Sequence, residues 1–364
     1  GDTLQLSVVL AGDGHVPWQQ KLLVTDPLQT TLTLSQTGVW SFAGQTGTIA
    51  SLMGAEGLAS GEYRVTASVT DLAGNVSQLS QPYHLVVDLD APLNQAVAGT
   101  FQFEQHAVVD ATATAQHHRT FITREAHQLI TVQLKTALQS ATSATGSESL
   151  WGRVVAPDHT TDPSSALEGW VDLSAAVTGT TLSWNTATSG LELKPGVNVI
   201  QLEVRDAAGN RGAITEQQYV LDTTPPTTTV QSVTLTFSSD SAPTTGQGTP
   251  AGLGLDHDLL THEPVQTLGV DLSAALIADA NDSATWGSAQ EHLWGSVDNG
   301  NTWFDVTSFV QGHHLSWQLA NTRNPVTGEL APLALTGSNT LRLKVMDVAG
   351  NVGAQFSQAY GLDT

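Results

Sequence analysis

One five-residue pattern, Asp-x-Ala-Gly-Asn, occurs three times in this chain of 364 residues and constrains its fold more than any other feature. The copies lie at 71–75, 206–210 and 347–351. A glycine stands ten residues before each aspartate, and apolar and polar residues alternate between the two. A period of two is typical of a strand with one buried face. The repetition therefore predicts three copies of one β-structured unit.

A second aspartate marks the end of each copy. Asp88, Asp222 and Asp363 follow the turn aspartates by 17, 16 and 16 residues, each after a strand-like run. Prolines come soon after the first two, and proline cannot donate to a β ladder. We therefore divide the chain into three predicted domains, called modules one to three: residues 1–90, 91–224 and 225–364. The junction of modules one and two is joint one, and that of modules two and three is joint two.

Modules two and three are also alike before these landmarks. Leu-Trp-Gly occurs at 150–152 and at 293–295, and each module has two further tryptophans 14 residues apart. Module two has an insertion around 156–165, and module three has one near 321–330. Module one is shorter and more distant, and we expect that it lacks its first strand in this chain.

Short alternating strands, turns rich in Gly, Asn, Asp and Pro, and almost no helical periodicity predict the fold class. We expect an all-β protein made of tandem immunoglobulin-like β-sandwich domains joined end to end. Thr and Ser dominate the polar positions, which suits half-exposed strands better than helices.

These motifs together resemble those of a known family. The Asp-x-Ala-Gly-Asn hairpin closes on Leu-Asp-Thr-Thr-Pro-Pro at 221–226, and Leu-Trp-Gly-Ser-Val-Asp-Asn-Gly-Asn-Thr-Trp at 293–303 precedes the third copy. This arrangement resembles the bacterial immunoglobulin-like repeats of giant, biofilm-associated RTX adhesins, over nearly all of modules two and three and the second half of module one. The resemblance implies a calcium-stiffened extender segment, secreted by a type I system, that projects an adhesive tip from the bacterial cell surface.

Strand order predicts which aspartates meet. In a sandwich of seven antiparallel strands, the turn between the last two strands lies at one end and the end of the last strand lies at the other. Asp206 and Asp222 therefore cannot share an ion. Instead Asp222 is expected to meet Asp347 at joint two, and Asp88 with Asp90 is expected to meet Asp206 at joint one.

Clustered carboxylates repel one another unless a hard cation binds them, and Ca²⁺ accepts six to eight oxygen ligands. We therefore predict at least one Ca²⁺ at each joint, with asparagine and backbone carbonyl oxygens completing the shell. The predicted ligands are Asp88, Asp90, Asp206, Asn210, Asp222, Asp347 and Asn351, and the further candidates are Asp71, Asp256, Asp258 and Asp363.

Two observations bear on these candidates. Asp256 and Asp258 correspond to His118 and Thr120 in module two, so they are not ligands common to the modules. The alternative to calcium is a plain turn in which Asp and Asn bond to the local backbone. That alternative explains the turn residues but not the aspartate that recurs at each strand end.

The histidines and tryptophans are interpreted as structural residues and not as metal or sugar ligands. The pairs at 117–118 and 313–314 are interpreted as solvated surface residues, because neighbours on a strand point to opposite faces and cannot chelate together. Trp18, Trp170, Trp286 and Trp303 would suit a platform that stacks against a sugar, but tryptophan in a sandwich is more often buried. We therefore predict that the tryptophans belong to the core.

Composition excludes several classes of partner. The chain has 12 basic and 34 acidic residues and a net charge of −22, which disfavours nucleic acid and anionic membranes because both are bound through Lys and Arg. It has no cysteine, so disulfides and thiolate metal sites are excluded. No apolar run approaches the ~20 residues of a spanning helix, so we expect no membrane insertion of this segment.

We predict no enzymatic activity, because no nucleophile elbow or phosphate loop occurs and the paired carboxylates repeat in every module. The neighbouring repeats of the same chain are the expected partners. Two other functions stay open: a module that binds a glycan or protein ligand through the insertions at 156–165 and 321–330, and an accessory domain of a secreted hydrolase.

Overall fold

The computed structural model describes residues 3–10, 18–23, 33–34, 39–42, 45–48, 60–71, 73–108, 120–140, 147–156, 169–239, 259–278, 289–324 and 326–363, and before residue 60 it describes the backbone only. The described residues form 26 β-strands and four 3-10 helices and contain no α-helix. None of the described helices is long and apolar enough to cross a membrane.

Module one forms two antiparallel sheets. Its strands are β1 (Thr3–Leu10), β2 (Trp18–Leu23), β3 (Thr33–Leu34), β4 (Val39–Phe42), β5 (Gln45–Thr48), β6 (Gly61–Thr70) and β7 (Tyr83–Val87). Their orders are β2-β1-β6-β7 and β3-β4-β5. β6 ends at the residue before Asp71, and β7 ends at the residue before Asp88.

Module two forms a six-stranded and a four-stranded sheet. Its strands are β8 (Gln102–Phe103), β9 (Ala107–Val108), β10 (Phe121–Thr123), β11 (Leu129–Gln133), β12 (Ser149–Val155), β13 (Val171–Asp172), β14 (Val177–Thr178), β15 (Thr181–Asn185), β16 (Gly196–Arg205) and β17 (Thr215–Leu221), with a 3-10 helix at Ser174–Ala176. The orders are β13-β12-β16-β17-β10-β9 and β14-β15-β11-β8.

Module three forms a five-stranded and a four-stranded sheet. Its strands are β18 (Thr236–Phe237), β19 (Leu260–Thr261), β20 (Thr267–Asp271), β21 (Glu291–Ser296), β22 (Phe304–Asp305), β23 (Val310–Gln311), β24 (His314–Gln318), β25 (Ser338–Asp347) and β26 (Val352–Leu362), with 3-10 helices at Ser232–Thr234, Thr307–Phe309 and Leu319–Asn321. The orders are β19-β26-β25-β21-β22 and β18-β20-β24-β23.

The three modules share the strands around the repeated turn. β1, β12 and β21 each pair antiparallel with the strand that leads into the turn aspartate, namely β6, β16 and β25. β1 thus holds the position of β12, which is the fifth strand of module two. In modules two and three a short strand also pairs parallel with the last strand, whereas in the described part of module one β7 is an edge strand.

The cores of modules two and three lie between their two sheets. Trp184 on β15 and Trp317 on β24 are at most 1% exposed and are the largest side chains of these cores. Opposite Trp317 stands Gly295, where an added Cβ would lie 2.5 Å from the indole ring. The last residue of Leu-Trp-Gly therefore makes room for the core tryptophan in module three. The strands and the two-sheet cores confirm the predicted all-β fold of tandem immunoglobulin-like sandwiches.

One strand differs from the predicted alternation. In β25 buried and half-buried residues alternate, but in β16 residues 198–204 are all buried. The outward-facing Glu203 is 1% exposed because Arg205 and Arg211 cover it, with nitrogen–oxygen distances of 2.5 and 2.7 Å. The central strand of module two is thus covered on both faces, by the core on one side and by an ion-pair network on the other.

Candidate functional site at the module joints

The Asp-x-Ala-Gly-Asn turn has one geometry in all three copies. The side-chain amides of Asn75, Asn210 and Asn351 donate to Oδ2 of the turn aspartate at 2.8, 2.9 and 2.9 Å. The backbone N–H groups of the same residues donate to Oδ1 at 2.8, 2.9 and 2.8 Å. The turn glycines have φ values of 89°, 94° and 91°, in the left-handed region that favours glycine. Local structure alone therefore explains the Asp, Gly and Asn of the motif.

The asparagine of the turn also reaches the preceding module. Asn210 Nδ2 donates to the backbone carbonyl of Asp88 at 2.9 Å, and Asn351 Nδ2 donates to that of Asp222 at 2.8 Å. The two amide hydrogens thus bridge the turn aspartate and the last strand of the module before. In this arrangement Asn210 and Asn351 serve as hydrogen-bond donors across the joints.

The residues expected to meet do lie together at the joints, and those expected to be apart are apart. In the hairpin of β16 and β17, Gly196 pairs with Leu221, so Asp206 and Asp222 lie at opposite ends of a ten-residue strand. At ~3.3 Å per residue this separates them by about 33 Å. Because each lies at a different end of module two, each contributes to a different joint.

Joint one contains an acidic cleft. The cleft has a volume of about 420 Å³ and is lined by Asp88, Asp90, Glu148 and Asp206, together with the single basic residue Lys135. Asp88 and Asp206 are half-buried, and Asp90 is exposed. All four acidic side chains supply the hard oxygen atoms that Ca²⁺ prefers.

Joint two is more buried. Asp347 and Asn351 are 6% and 7% exposed. Arg124, in the turn after β10, donates a further hydrogen bond to the carbonyl of Gly350. Burial raises the pKa of Asp347; the hydrogen bonds from Asn351 oppose this, and the charge of Asp222 adds to it. The charged form of Asp347 is therefore disfavoured at joint two.

One acidic residue at each joint was not among the predicted ligands. Glu148 and Glu291 stand two residues before the Leu-Trp-Gly motifs, so the shared pattern is Glu-x-Leu-Trp-Gly. Glu291 is 3% exposed and is the cross-strand neighbour of Asp347. The repeated spacing was a usable signal, but the sequence does not show that this end of the strand faces the joint.

Some predicted ligands lie away from these clusters. Asp71 and Asp363 are exposed, and the hydrogen bond from Asn75 lowers the pKa of Asp71. Asp256 and Asp258 lie outside the described residues. Within the described part of the chain, no three His, Asp or Glu side chains are placed to hold a metal ion by themselves. A calcium shell at either joint would need backbone carbonyl or water oxygens as well, and calcium binding stays a prediction.

The tryptophan side chains that the structure describes are only partly in the core, which corrects the sequence-based expectation. Trp170 is buried on the outer face of module two, where Arg153, Arg205 and Arg211 lie 4.7 to 5.3 Å from its ring centre. Lys344 lies 4.1 Å from the ring centre of Trp303. Cations therefore lie over the faces on which a sugar would stack.

Other predictions concern Trp18, Trp286, the two histidine pairs and the insertion of module two. The side chains of Trp18 and Trp286, the histidine pair at 117–118 and most of the insertion at 156–165 lie outside the described residues. His313 and His314 are exposed, as predicted, and His314 Nδ1 lies 2.6 Å from a carboxylate oxygen of Asp271.

A family model identifies part of the chain. Residues 31–88 match the bacterial Ig-like domain. The match lies in module one, the copy that the sequence analysis found most distant from the other two. The similarity to the bacterial Ig-like domain is therefore limited to residues 31–88. No curated protein sequence matches the chain.

Three solved structures align with nearly the whole chain at low similarity. Dimeric latent PorU from Porphyromonas gingivalis is 8% identical, with 99% of this chain and 30% of that chain covered and a TM-score of 0.20. Extracellular domains 3–5 of Drosophila OTK are 12% identical, with 100% and 86% covered and a TM-score of 0.21. The BSP domain of a biofilm associated protein is 10% identical, with 100% and 60% covered and a TM-score of 0.20. At such TM-scores these likenesses carry no argument.

Proposed function

We propose that this chain is an extender segment of a large bacterial surface adhesin of the RTX type. Its three modules, with the boundaries given above, are separate domains in a row that hold an adhesive region away from the cell. The segment lies outside the cell, acts through its shape and catalyses no reaction. Neighbouring repeats are its partners, and calcium stiffens its joints.

The observation that carries this proposal is the contact between consecutive modules, which occurs twice with the same atoms. At each joint the turn asparagine binds the carbonyl of the aspartate that ends the preceding module, at 2.9 and 2.8 Å. A contact repeated with the same atoms indicates that both pairs of modules meet in one defined arrangement, which favours a fixed relative direction. Fixed direction is the property that an extender needs, whereas independently tethered domains would not use the same atoms twice.

The acidic residues at the joints support the calcium part of the proposal. Asp88, Asp90, Glu148 and Asp206 would hold Ca²⁺ at joint one, and Asp222, Glu291 and Asp347 would hold it at joint two. Glu291 and Asp347 are both under a tenth exposed, and two neighbouring buried carboxylates are costly without a compensating cation. Bound Ca²⁺ would supply charge neutralisation there.

Calcium titration of the full chain tests this part. Extracellular modules of this sort bind Ca²⁺ with dissociation constants of roughly 10⁻⁴ to 10⁻³ M, so 10 mM Ca²⁺ is expected to stabilise the folded chain by about 1.4 to 2.7 kcal/mol per site. Thermal melting with calcium and with chelator measures this. The double variant Asp206→Asn, Asp347→Asn is expected to lose the response, and Glu329→Gln, at an exposed position away from the joints, is expected to keep it. A melting temperature unaffected by calcium in the unmodified chain contradicts the calcium part.

A second candidate function is ligand binding by the insertion of module three. In the described residues of the insertion, Arg323 forms a β-bridge with Leu330 and Asn324 Oδ1 accepts two backbone hydrogen bonds. Val326 between them is 91% exposed, so the loop presents an apolar side chain to solvent. Binding to a glycan array or peptide library that is abolished by deleting residues 323–330 would favour this function.

A further inference from the structure

A glutamate at each joint holds the linker that enters the following module. Glu148 Oε2 accepts hydrogen bonds from the side-chain amide of Asn94 and the backbone N–H of Gln139, both at 3.1 Å. Glu291 Oε2 accepts hydrogen bonds from the hydroxyl of Thr228 at 2.8 Å and from the backbone N–H of Ile277 at 3.1 Å. The same position of each module thus makes the same pair of contacts, although the linker residue differs.

The linker is held at a second point six residues earlier. Asn210 binds the carbonyl of Asp88 and Glu148 binds Asn94, so both ends of the segment 88–94 are fixed to module two. Joint two repeats this with the segment 222–228, fixed by Asn351 and Glu291. Two anchor points fix the direction of the linker segment relative to the following module, whereas a single anchor would leave the segment free to rotate about it.

Between the anchors the linker lies close to the body of the following module. A Cβ added at Gly212 would lie 3.1 Å from the carbonyl oxygen of Pro92, and one added at Gly353 would lie 2.8 Å from that of Pro226. The linker residues that the glutamates bind are themselves buried, with Asn94 5% and Thr228 4% exposed. Each linker is therefore held at its buried last residue and approaches the module at one proline, whereas residues 89–91 and 223–225 remain exposed.

The carboxylate of Glu291 destabilises the sheet by repelling that of Asp347, and its hydrogen bond to the linker offsets this effect. Glu291 is the cross-strand neighbour of Asp347, and like charges directly opposite each other destabilise a sheet. Glu291→Ala would remove that repulsion and would also remove the acceptor for Thr228. The contribution of the glutamate therefore lies in holding the linker and not in stabilising the sheet.

We propose that Glu148 and Glu291 are clamp residues, each of which fixes the linker of its joint and thereby sets the direction between two modules. The inference rests on the proposed function, because direction matters in a segment that acts through its shape. The clamp itself consists of hydrogen bonds within the protein and needs no ion. Glu148 and Glu291 are positioning residues, and the carboxylate acts through Asn94 or Thr228.

Distance measurements between spin labels test the clamp. The chain has no cysteine, so cysteines introduced at the exposed positions Ser183 and Gln311 carry the only labels. In chelator, the label-to-label distances across joint two are expected to show a single maximum, which added Ca²⁺ is expected to narrow further. Glu291→Ala and Thr228→Val are expected to lose that maximum, because each removes one side of the hydrogen bond. Glu291→Gln keeps an acceptor oxygen and is expected to restore it.

Two controls separate the clamp from other causes. Glu329→Ala, at an exposed position of module three, is expected to leave the distances unchanged. Near-ultraviolet circular dichroism, which reports the packing of the buried Trp317, shows whether module three is intact. Thr228→Val changes only one hydroxyl to a methyl group, so it keeps the test valid if Glu291→Ala unfolds the module.

The outcomes distinguish the clamp from calcium stiffening. Unchanged distances in Glu291→Ala, or broad distances in Glu291→Gln, would overturn the clamp. A broad distribution in the unmodified chain that narrows only on adding Ca²⁺ would also overturn it while supporting the calcium proposal. A narrow distribution that depends on Glu291 and Thr228 but not on Ca²⁺ would support the clamp and contradict calcium stiffening.

Discussion

At the scale of single residues, the pKa of the turn aspartate is shifted in opposite directions in modules one and three, although the turn has the same geometry. Asp71 and Asp347 accept the same two hydrogen bonds from the turn asparagine. The pKa of the exposed Asp71 is lowered by the hydrogen bond from Asn75, whereas burial raises the pKa of Asp347. The difference comes from the preceding module, which covers Asp347 and places Asp222 beside it.

This contrast predicts a dependence of stability on pH. Because the pKa of Asp347 is raised above its ordinary value of 3.8, the folded chain binds this proton more readily than the unfolded chain does. The linked stabilisation is complete below the ordinary pKa and is lost as the pH rises through the raised one. The free energy of unfolding of the unmodified chain, measured in chelator and relative to Asp347→Asn, is therefore expected to increase as the pH falls from 7 to below 4.

Asp71→Asn is the matched control for this measurement. The lowered pKa of Asp71 gives a contribution that is present above the ordinary pKa of an aspartate and is lost as the pH falls through the lowered one. The free energy of unfolding relative to Asp71→Asn is expected to change in the opposite direction over the acid range. The same direction for both variants would contradict the account of joint two.

At the scale of secondary-structure elements, the glycine of Leu-Trp-Gly in module three is explained by packing between the two sheets. β21 carries Gly295 on the face toward the core, and β24 carries Trp317 opposite it. A Cβ at residue 295 would lie 2.5 and 2.8 Å from two carbons of the indole ring. The glycine therefore sets the distance between the sheets of module three.

Gly295→Ala is expected to destabilise module three by about 1 to 3 kcal/mol, because a well-packed core does not expand easily. Denaturant unfolding followed by tryptophan fluorescence measures this. Adding Trp317→Phe, which introduces a smaller ring, is expected to make the double variant less unstable than the sum of the two single variants. Additive effects would show that the alanine and the indole ring do not collide.

The sequence was sufficient for the strands that flank the repeated turn, but it did not predict the ten and nine described strands of modules two and three, the parallel pair in each, or every surface that the strands create. Alternation predicted β25, and the Asp-x-Ala-Gly-Asn pattern predicted which module ends meet. The sequence did not predict that β16 is buried on both faces, because the contact of Glu203 with Arg205 and Arg211 forms only once the sheet has folded. The role of Glu291 was missed for a similar reason: its partner Thr228 lies 63 residues away along the chain.

At the scale of the whole molecule, the two joints share the asparagine and glutamate contacts but differ in their surroundings. Joint one contains an acidic cleft with Lys135 at its edge, whereas joint two has Arg124 bound to the carbonyl of Gly350. Arg124 follows β10, the short strand that pairs parallel with β17, and the described part of module one contains no such strand. Joint two therefore has a protein cation contact that the described part of joint one does not show.

The arginine contact predicts that the joints differ in stiffness without calcium. Arg124→Met keeps much of the side-chain length but removes the donor to Gly350. Since the Arg124 side chain is 44% exposed, we expect a loss of only about 0.5 to 1 kcal/mol from the docking of module three on module two. Spin labels at Ser183 and Gln311 are expected to report a broader distance distribution in chelator.

Joint one is the internal control for that variant. Labels at Glu62 and Ser183, both exposed positions, span joint one, and their distances are expected to be unaffected by Arg124→Met because the contact it removes lies at the other end of module two. Equal broadening at both joints would mean that the substitution disturbs module two as a whole. Broadening at joint two alone would show that each joint is set by its own contacts, so that the shape of the segment is the sum of locally determined directions.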